Sequence, residues 1–361
     1  MPIATINIIN FRNLRQISLD CSPRLNMIVG ANAAGKTSFL EAIYYISLAR
    51  SFRTQTPADL IHSGASAFRI VVMLHRADGQ HVPVGLERSA GQLIARIDGE
   101  SIRALAELAV RLPVLLLSPA SHRLLEDGPQ QRRRFMDWGS FHADPAFLPA
   151  WKRYQVSLRQ RNAALRAGTE RRGVAAWDAD LVATADILDR LRGEFCRRLT
   201  GALSPLLAAT LGAGFSIELE YYRGWNRERE LADVLRAGYE QDRQCGYTRS
   251  GPQRADFMVS VAGHVASDYL SRGQQKLLVV ALVLAQAQLY RELHDAPCIL
   301  LIDDLPAELD PLHRGRIMEC LVSLDTQLFI SALEPALLDT SVWCAERRII
   351  KLVNGVIEEV V

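Results

Sequence analysis

The sequence predicts an α/β fold in which a mostly helical segment interrupts a mixed domain made from both ends of the chain. Strand-like segments dominate residues 1–118, and alternating strands and helices return after residue 246. Between them, apolar residues recur at helical spacing from residue 147 onward. We therefore expect a head domain formed by residues 1–118 and 246–361, with an inserted arm domain at 119–245.

The strands and helices of the head domain are predicted from short apolar patterns and the turns between them. Two short strands precede a buried strand that leads into a glycine-rich loop, and a helical pattern follows that loop. Gly-containing turns at 78–79, 90–91 and 98–99 separate the next three strands, which indicates an antiparallel meander. The expected strands are 3–11, 14–20, 25–29, 68–76, 81–88, 93–98, 114–117, 257–261, 298–303, 328–331 and 349–352, and the expected helices are 37–49, 271–293 and 311–324.

The composition excludes several classes of protein. The chain has 361 residues, of which 49% are hydrophobic, enough for two or three domains with large cores. None of the six cysteines is spaced as in a C-x-x-C zinc or redox site. The N-terminus lacks the pattern of a signal peptide, and no apolar run approaches the length of a membrane span. We therefore expect a cytoplasmic protein with reduced cysteines.

Residues 30–37 form the most specific motif in the chain. Gly-x-x-x-x-Gly-Lys-Thr stands between a buried strand and a helix, which is the arrangement of a P-loop. Its backbone N–H groups and the helix dipole would bind the phosphates of ATP. Lys36 is expected to lie between the β- and γ-phosphates, and the Thr37 hydroxyl to bind Mg²⁺. The predicted ATP-binding residues are Gly30, Ala31, Asn32, Ala33, Ala34, Gly35, Lys36 and Thr37.

An acidic pair follows a second buried strand. Four apolar residues at 299–302 lead to Asp303 and Asp304, and α/β sheets place their ligands at the carboxyl ends of strands. We expect this strand to neighbour the P-loop strand, with Asp303 as a Mg²⁺ ligand. Asp304 is expected to orient or deprotonate the attacking water, so the predicted catalytic residues are Asp304 and Lys36.

A third motif, Leu-Ser-Arg-Gly-Gln at 270–274, begins an apolar helix. By itself it fits a simple N-cap as well as an anion cradle. Its position after the P-loop and 29 residues before Asp303, counted from Gln274, is the arrangement of ATP-binding-cassette heads. We therefore add Ser271, Arg272, Gly273 and Gln274 to the predicted nucleotide-binding residues.

The cassette arrangement predicts a switch rather than a fast enzyme. In cassette heads, the third motif of one subunit closes on ATP held by another, so we expect a homodimer that ATP drives and ADP releases. Cassette heads carry Glu where this chain has the shorter Asp304. They also carry a His where residues 331–334 read Ser-Ala-Leu-Glu. Both differences predict weak ATP hydrolysis.

Positive charge is concentrated in the middle of the chain. The net charge is only +2, but residues 119–173 contain eleven Lys/Arg against five Asp/Glu. Such a cluster can release counterions from DNA phosphates, although a solvated surface remains an alternative. No base-reading module is present in the pattern, so binding would be directed to the backbone. The candidate DNA-binding residues are Arg132, Arg133, Arg134, Lys152 and Arg153.

These motifs together resemble the RecF family of bacterial recombination mediators, whose head is related to ABC and SMC ATPases. The matching segments cover nearly the whole chain, and the combination of Gln-Arg-Asn-Ala-Ala-Leu with Gly-Pro-x-Arg makes the resemblance specific. The segments are 11–14 (Phe-Arg-Asn-Leu), the P-loop with 40–43, 51–54 (Ser-Phe-Arg-Thr), 132–137, 160–165 (Gln-Arg-Asn-Ala-Ala-Leu), 251–256, 270–276 and 302–310.

The resemblance implies an ABC/SMC-like ATPase head that binds DNA at single-stranded gaps and at junctions of single- and double-stranded DNA. It also implies recombinational repair, replication restart and SOS induction, with RecR and RecO as partners in loading RecA. Gln253 stands where the family commonly has His, and Pro306 where a small residue is usual. On the residues alone, a transporter ATPase subunit and a small-molecule kinase remain alternatives.

Overall fold

The computed structural model describes residues 2–76, 78–212, 215, 217–304, 310–337, 343 and 346–361. It forms two compact units, the first made of residues 1–121 and 283–361, and the second of residues 122–282. The division into a head domain and an arm domain with boundaries at 118 and 246 stays a prediction, because the two compact units do not show which residues act as the ATPase head and which as the arm. Pro306 lies outside the described residues.

Six antiparallel strands form the first sheet of the first unit. Buried and exposed positions alternate along its strands, as expected for a sheet that covers a core with one face. The predicted meander is the run of three strands that pair successively through tight turns. In spatial order the strands are β2 (Leu14–Asp20), β1 (Ile3–Phe11), β4 (Ala67–His75), β5 (His81–Ser89), β6 (Leu93–Ile97) and β7 (Glu100–Ser101).

The second sheet of this unit is parallel except for one edge strand. In spatial order it contains β15 (Val356–Val360), β14 (Arg347–Val353), β3 (Leu25–Val29), β13 (Gln327–Ala332), β12 (Ile299–Ile302) and β8 (Val114–Leu117). All residues of β3, β12 and β13 are buried. The acidic strand β12 is separated from the P-loop strand β3 by β13. The expectation that these two strands are neighbours was wrong, because fully buried strands share one apolar pattern that carries no information on their order.

Three helices of the first unit are α1 (Lys36–Leu48), α2 (Ala106–Arg111) and α12 (Pro311–Ser323). Residues of α1 and of both sheets belong to one hydrophobic cluster. Within it, the ring of Phe68 meets those of Phe11 and Tyr45 edge-on, at centroid distances of 5.0 and 5.2 Å. The cluster therefore anchors the helix that follows the P-loop.

The second unit is mainly helical and has a small sheet of its own. The sheet contains β11 (His264–Val265), β10 (Asp256–Val261) and β9 (Ile217–Tyr222), of which only β10 was predicted. A further helix, α11 (Arg272–His294), begins in this unit and ends in the first. The other helices are α3 (Arg123–Glu126), α4 (Pro129–Ala143), α5 (Phe147–Arg166), α6 (Arg171–Ala175), α7 (Asp178–Leu211), α8 (Leu231–Ala237), α9 (Tyr239–Cys245) and α10 (Ala266–Tyr269).

Helix α5 packs along α7 through one apolar face. Its buried residues recur every three or four positions, and Tyr154 and Leu158 share a cluster with Leu181 and Leu188 of α7. Apart from the buried Ser157 and Arg161, the polar residues of α5 lie on its flanks and on the opposite side. No helix in the described ranges combines the length and apolarity needed to cross a membrane.

Candidate nucleotide site

The P-loop joins the end of β3 to the start of α1 through backbone conformations that favour glycine. Gly30 has φ 155° and Gly35 has φ 113°. A Cβ on Gly30 would lie 2.4 Å from the carbonyl oxygen of Leu352, and one on Gly35 would lie 2.8 Å from Leu14 Cδ2. Both glycines of the motif are therefore required by the local geometry.

Two groups from outside the motif hold the P-loop in place. The Asn13 side-chain amide donates to the carbonyl of Ala33 at 3.1 Å. The backbone N–H of Gly355, in the turn between β14 and β15, donates to the carbonyl of Ala34 at 2.9 Å. Ala33 itself has φ 64°, a conformation that is costly for a residue with a Cβ. Motif matching missed these supports, although Asn13 belongs to the Phe-Arg-Asn-Leu segment.

The ammonium group of Lys36 lies against the loop that precedes it. Its Nζ donates to the carbonyls of Gly30 at 2.8 Å and Ala31 at 3.2 Å, and the residue is 4% exposed. An ammonium group has three protons, so one more remains for a phosphate oxygen. The structure thus brings the predicted lysine to the predicted loop, with donor capacity that fits a triphosphate.

Asp303 receives hydrogen bonds from two hydroxyl groups on different elements. The Thr37 hydroxyl on α1 donates to Asp303 Oδ1 at 3.0 Å, and the Ser331 hydroxyl on β13 donates to the same oxygen at 2.8 Å. Ser331 also accepts from the backbone N–H of Asp304 at 2.9 Å. The strand that separates β12 from β3 therefore contributes a residue that the sequence did not single out.

The carboxyl group of Asp303 is 5% exposed, and burial raises its pKa above the usual range for aspartate. The hydrogen bonds from Ser331 and Thr37 oppose this shift by stabilising the charged form. Among the described residues Asp303 Oδ2 has no hydrogen-bond partner, and a buried carboxylate oxygen next to a hydroxyl is a donor set that Mg²⁺ accepts. Within the described residues no group of three or more His, Cys, Asp or Glu side chains gathers, so phosphates and water would complete the coordination.

A second buried carboxylate, Glu41 of α1, binds two arginines. Arg12 approaches it bidentately, with Nε–Oε2 and Nη2–Oε1 distances of 2.8 Å, and Arg53 lies 3.4 Å away. The Ser51 hydroxyl also donates to Glu41. This cluster joins the segments 11–14 and 51–54 to the P-loop helix, and the charge of Arg53 lowers the pKa of Asp303. None of these residues was predicted to act at the site.

The third motif caps helix α11 in the second unit. The Ser271 hydroxyl accepts from the Gln274 N–H at 3.3 Å, and the Gln274 side chain accepts from the Ser271 N–H at 3.0 Å. This is a capping box, so the N-cap alternative describes the geometry. The Ser271 hydroxyl acts as an acceptor in this cap, so it can still donate its own proton to a ligand, and Gly273 is exposed. Arg272 forms an ion pair with Glu126.

The candidate DNA-binding residues differ in their surroundings. Arg132 pairs with Asp256 at 2.7 and 3.0 Å, and Arg133 donates to the carbonyl of Ala255 at 2.8 Å. Burial lowers the pKa of the Arg133 guanidinium. Arg134 and Lys152 are exposed, whereas the exposed Arg153 forms an ion pair with Asp180. Two residues of the Arg132–Arg134 run therefore have partners inside the unit.

Gln253, which stands where the resembling family commonly has His, is fully bonded. Its Nε2 donates to the carbonyls of Thr248 at 3.0 Å and Ser250 at 3.2 Å. The Tyr154 hydroxyl donates to its Oε1. Gln253 therefore links the Gly-Pro-x-Arg segment to α5 within the second unit.

Comparisons with known proteins agree on one family. Residues 2–353 match the RecF/RecN/SMC N-terminal domain family. The DNA replication and repair protein RecF of Pseudomonas fluorescens strain Pf-5 is 42% identical over 343 residues, which cover 94% of this chain and 92% of that protein.

Solved structures show the same fold. A structure of the recombination mediator protein RecF with ATP, in the RecFOR pathway, superposes with a TM-score of 0.89 at 22% identity, covering 99% of this chain and 97% of that chain. An SMC head bound to the C-winged helix domain of ScpA gives a TM-score of 0.61 at 16% identity, covering 100% of this chain and 97% of that chain.

Proposed function

The chain belongs to the RecF family, and on that premise we propose that it is an ATP-dependent DNA-binding protein of recombinational repair and replication restart. The observation that carries the nucleotide part is the convergence of Lys36, Thr37 and Asp303 at the P-loop. Family membership favours this role over a transporter ATPase subunit or a small-molecule kinase.

Each polar group of the site has a role in the proposal. The loop N–H groups and the remaining Lys36 proton bind phosphate oxygens, while Thr37 and Asp303 hold Mg²⁺. When bound, MgATP supplies the γ-phosphate that can bridge two protomers and be hydrolysed. Ser331 positions Asp303, and Asp304 orients a water molecule. The short side chain of Asp304 supports weak hydrolysis, because a base must reach its proton at hydrogen-bond distance.

In the proposed dimer, each nucleotide is shared between two copies of the chain. The Ser271 hydroxyl and the Gly273 N–H of one copy bind the γ-phosphate held by the P-loop of the other. The unused Ser271 proton and the exposed start of α11 support this role. Loss of the γ-phosphate removes these bonds, so ADP releases the dimer.

The proposed DNA structures and protein partners follow from membership of the RecF family. We propose binding to single-stranded gaps and to junctions of single- and double-stranded DNA, with weak ATP hydrolysis that DNA stimulates. RecR and RecO would act with this protein in loading RecA and in SOS induction. The cytoplasm is the proposed location.

Nucleotide-dependent DNA binding by the full chain and by Lys36→Met tests the proposal. The wild type should bind gapped DNA more tightly with ATP than with ADP, and should sediment as a dimer only with ATP. Lys36→Met should bind ATP roughly 10- to 100-fold more weakly, the effect of losing a charged hydrogen bond, and should lose the ATP-dependent DNA binding.

Lys351→Met is the matched control, because Lys351 is exposed and pairs with Glu358 on the same unit. It should behave as the wild type. Equal DNA binding with ATP and ADP, or the same sedimentation in both, would refute the switch. Phosphorylation of a small acceptor without DNA would favour the kinase, and co-purification with a membrane subunit would favour the transporter.

A further inference from the structure

A row of exposed residues follows α5 on the side opposite its buried face. Lys152, Arg159 and Arg166 are exposed and stand seven residues apart. Seven residues make about two turns of an α-helix, so the three cations share one side of the helix. The buried face, which includes Tyr154 and Leu158, lies roughly half a turn away.

The row is regular and carries no negative charge. At a rise of about 1.5 Å per residue, the Cα atoms of neighbouring cationic residues lie about 10.5 Å apart along the helix axis, and the whole row extends about 21 Å. Val156 and Ala163 fill the positions between them, and both are exposed. Helix α5 has no Asp or Glu anywhere in its 20 residues. The cations therefore face solvent without an acidic neighbour on their own helix.

The other basic residues of α5 are engaged in ion pairs. Arg161 binds Asp178 and Asp242, and Arg153 binds Asp180. For Lys152, Arg159 and Arg166, the described part of the chain shows no ion pair.

Local contacts hold the two arginines of the row without neutralising them. Arg159 Nε donates to the carbonyl of Gln155 at 3.2 Å, on its own helix. The stem of Arg166 passes Gly246, where a Cβ would lie 3.1 Å from Arg166 Cγ. Neither contact removes the charge, so both guanidinium groups keep donors for an anion.

We propose that this row, Lys152, Arg159 and Arg166, binds the phosphate backbone of DNA. The proposal rests on the DNA-binding function proposed above and assigns a surface to it. Charge complementarity favours DNA, because three cations in line, without an ion pair among the described residues, can replace condensed counterions. The row has no side chain suited to reading base edges, which predicts binding that is independent of sequence.

The test is ATP-dependent binding of the full-length protein to gapped DNA over a range of salt concentrations. The triple variant Lys152→Gln, Arg159→Gln, Arg166→Gln should bind about 100-fold more weakly near 0.1 M salt. The slope of the logarithm of its DNA-binding constant against the logarithm of salt concentration should become shallower by about two to three units per protomer, one for each lost phosphate contact. Its ATP affinity and its melting temperature should equal those of the wild type, because the row touches neither the P-loop motif nor a core.

The matched control removes the same charge elsewhere on the second unit. Arg197→Gln, Arg198→Gln, Arg243→Gln changes exposed arginines that pair with Glu194 or Glu240. Its DNA affinity should stay within threefold of the wild type. If the row variant binds like this control while the wild type shows ATP-dependent binding, the row proposal is wrong and the proposed function stands. If the wild type binds no DNA with ATP, both are wrong.

Discussion

The nucleotide site and helix α5 hold their charged side chains in different ways. At the nucleotide site, hydroxyl groups from α1 and β13 converge on one carboxylate, Asp303, and glycine conformations shape the loop beside it. Along α5, Arg159 is exposed and Arg161, two residues later, is completely buried between carboxylates. Side chains that converge on one point suit a small ligand. On α5, the charged side chains are divided between a buried face that stabilises the fold and an exposed face that can bind a partner.

This difference shows that the number of arginines in a segment does not by itself predict how many of them can bind DNA. The basic segment contains residues with three distinct roles: ion pairs inside the unit, such as Arg132 with Asp256; a buried centre at Arg161; and an exposed row. Of these three groups, only the exposed row keeps its charge available to a phosphate. The face of the helix, and not the residue type, decides between them.

The largest effect is expected from Arg161→Met. Arg161 binds Asp178 at 2.7 Å and Asp242 at 2.9 Å, and its loss leaves Asp242 with Arg249 at 3.5 Å. Removing one partner of a buried ion pair costs about 3–5 kcal/mol. The free energy of unfolding in urea should fall by that amount. Arg159→Met is the control and should change it by less than about 0.5 kcal/mol. Equal losses in the two variants would mean that the two faces of α5 do not differ in this way.

A smaller effect is expected from Ser331→Ala, which sharpens the description of the nucleotide site. Without the Ser331 hydroxyl, Asp303 loses one of the two hydrogen bonds that orient it. Loss of such a supporting group weakens metal affinity by about 10- to 100-fold. The Mg²⁺ dependence of ATP binding should shift accordingly. Ser323→Ala, which removes a hydroxyl that donates to the Cys320 carbonyl within α12, should leave that dependence unchanged. An unchanged Mg²⁺ dependence in Ser331→Ala would show that Thr37 alone positions Asp303.

The smallest effect is expected from Asp303→Asn in the absence of nucleotide and metal. Burial raises the pKa of Asp303 in the folded chain, so the folded state binds this proton more tightly than the unfolded chain does. Its stability therefore falls as the pH rises from the usual aspartate pKa through the raised one. Asparagine removes this penalty, and the variant should be about 1 kcal/mol more stable at pH 7. Melting temperatures at pH 7 and pH 4.5 should show the gain shrinking at the lower pH.

The control for this prediction is Asp310→Asn. Asp310 is the N-cap of α12, and hydrogen bonds from His313 lower its pKa. Neutralising it should bring no gain in stability at pH 7. A less stable Asp303→Asn at pH 7 would show that the carboxylate charge is already compensated within the site.

The nucleotide site was the part most open to sequence analysis. Residues 30–37 form one contiguous motif, a loop followed by the first residues of α1, and the loop conformation depends on its own glycines, so Lys36 and Thr37 lie where the motif predicts. The supports were not predictable in the same way. Ser331 and Gly355 come from segments about 300 residues later, and their roles depend on the order of strands in the sheet. The order β3–β13–β12 is set by packing, which buried apolar strands do not encode individually.

The sequence by itself determined the α/β class, the P-loop motif and the acidic pair at the end of β12. It also determined the resemblance to the RecF family, and the comparisons confirmed that family. These depend on contiguous residues, whose local conformation and chemistry follow from their own side chains. Only the tertiary structure decided which hydroxyl groups reach Asp303 and which arginines of α5 are buried. Those outcomes depend on partners such as Asp242, Asp256 and Ser331, which lie far away in the chain. Burial and ion pairing are properties of the packed chain and cannot be assigned to one residue type.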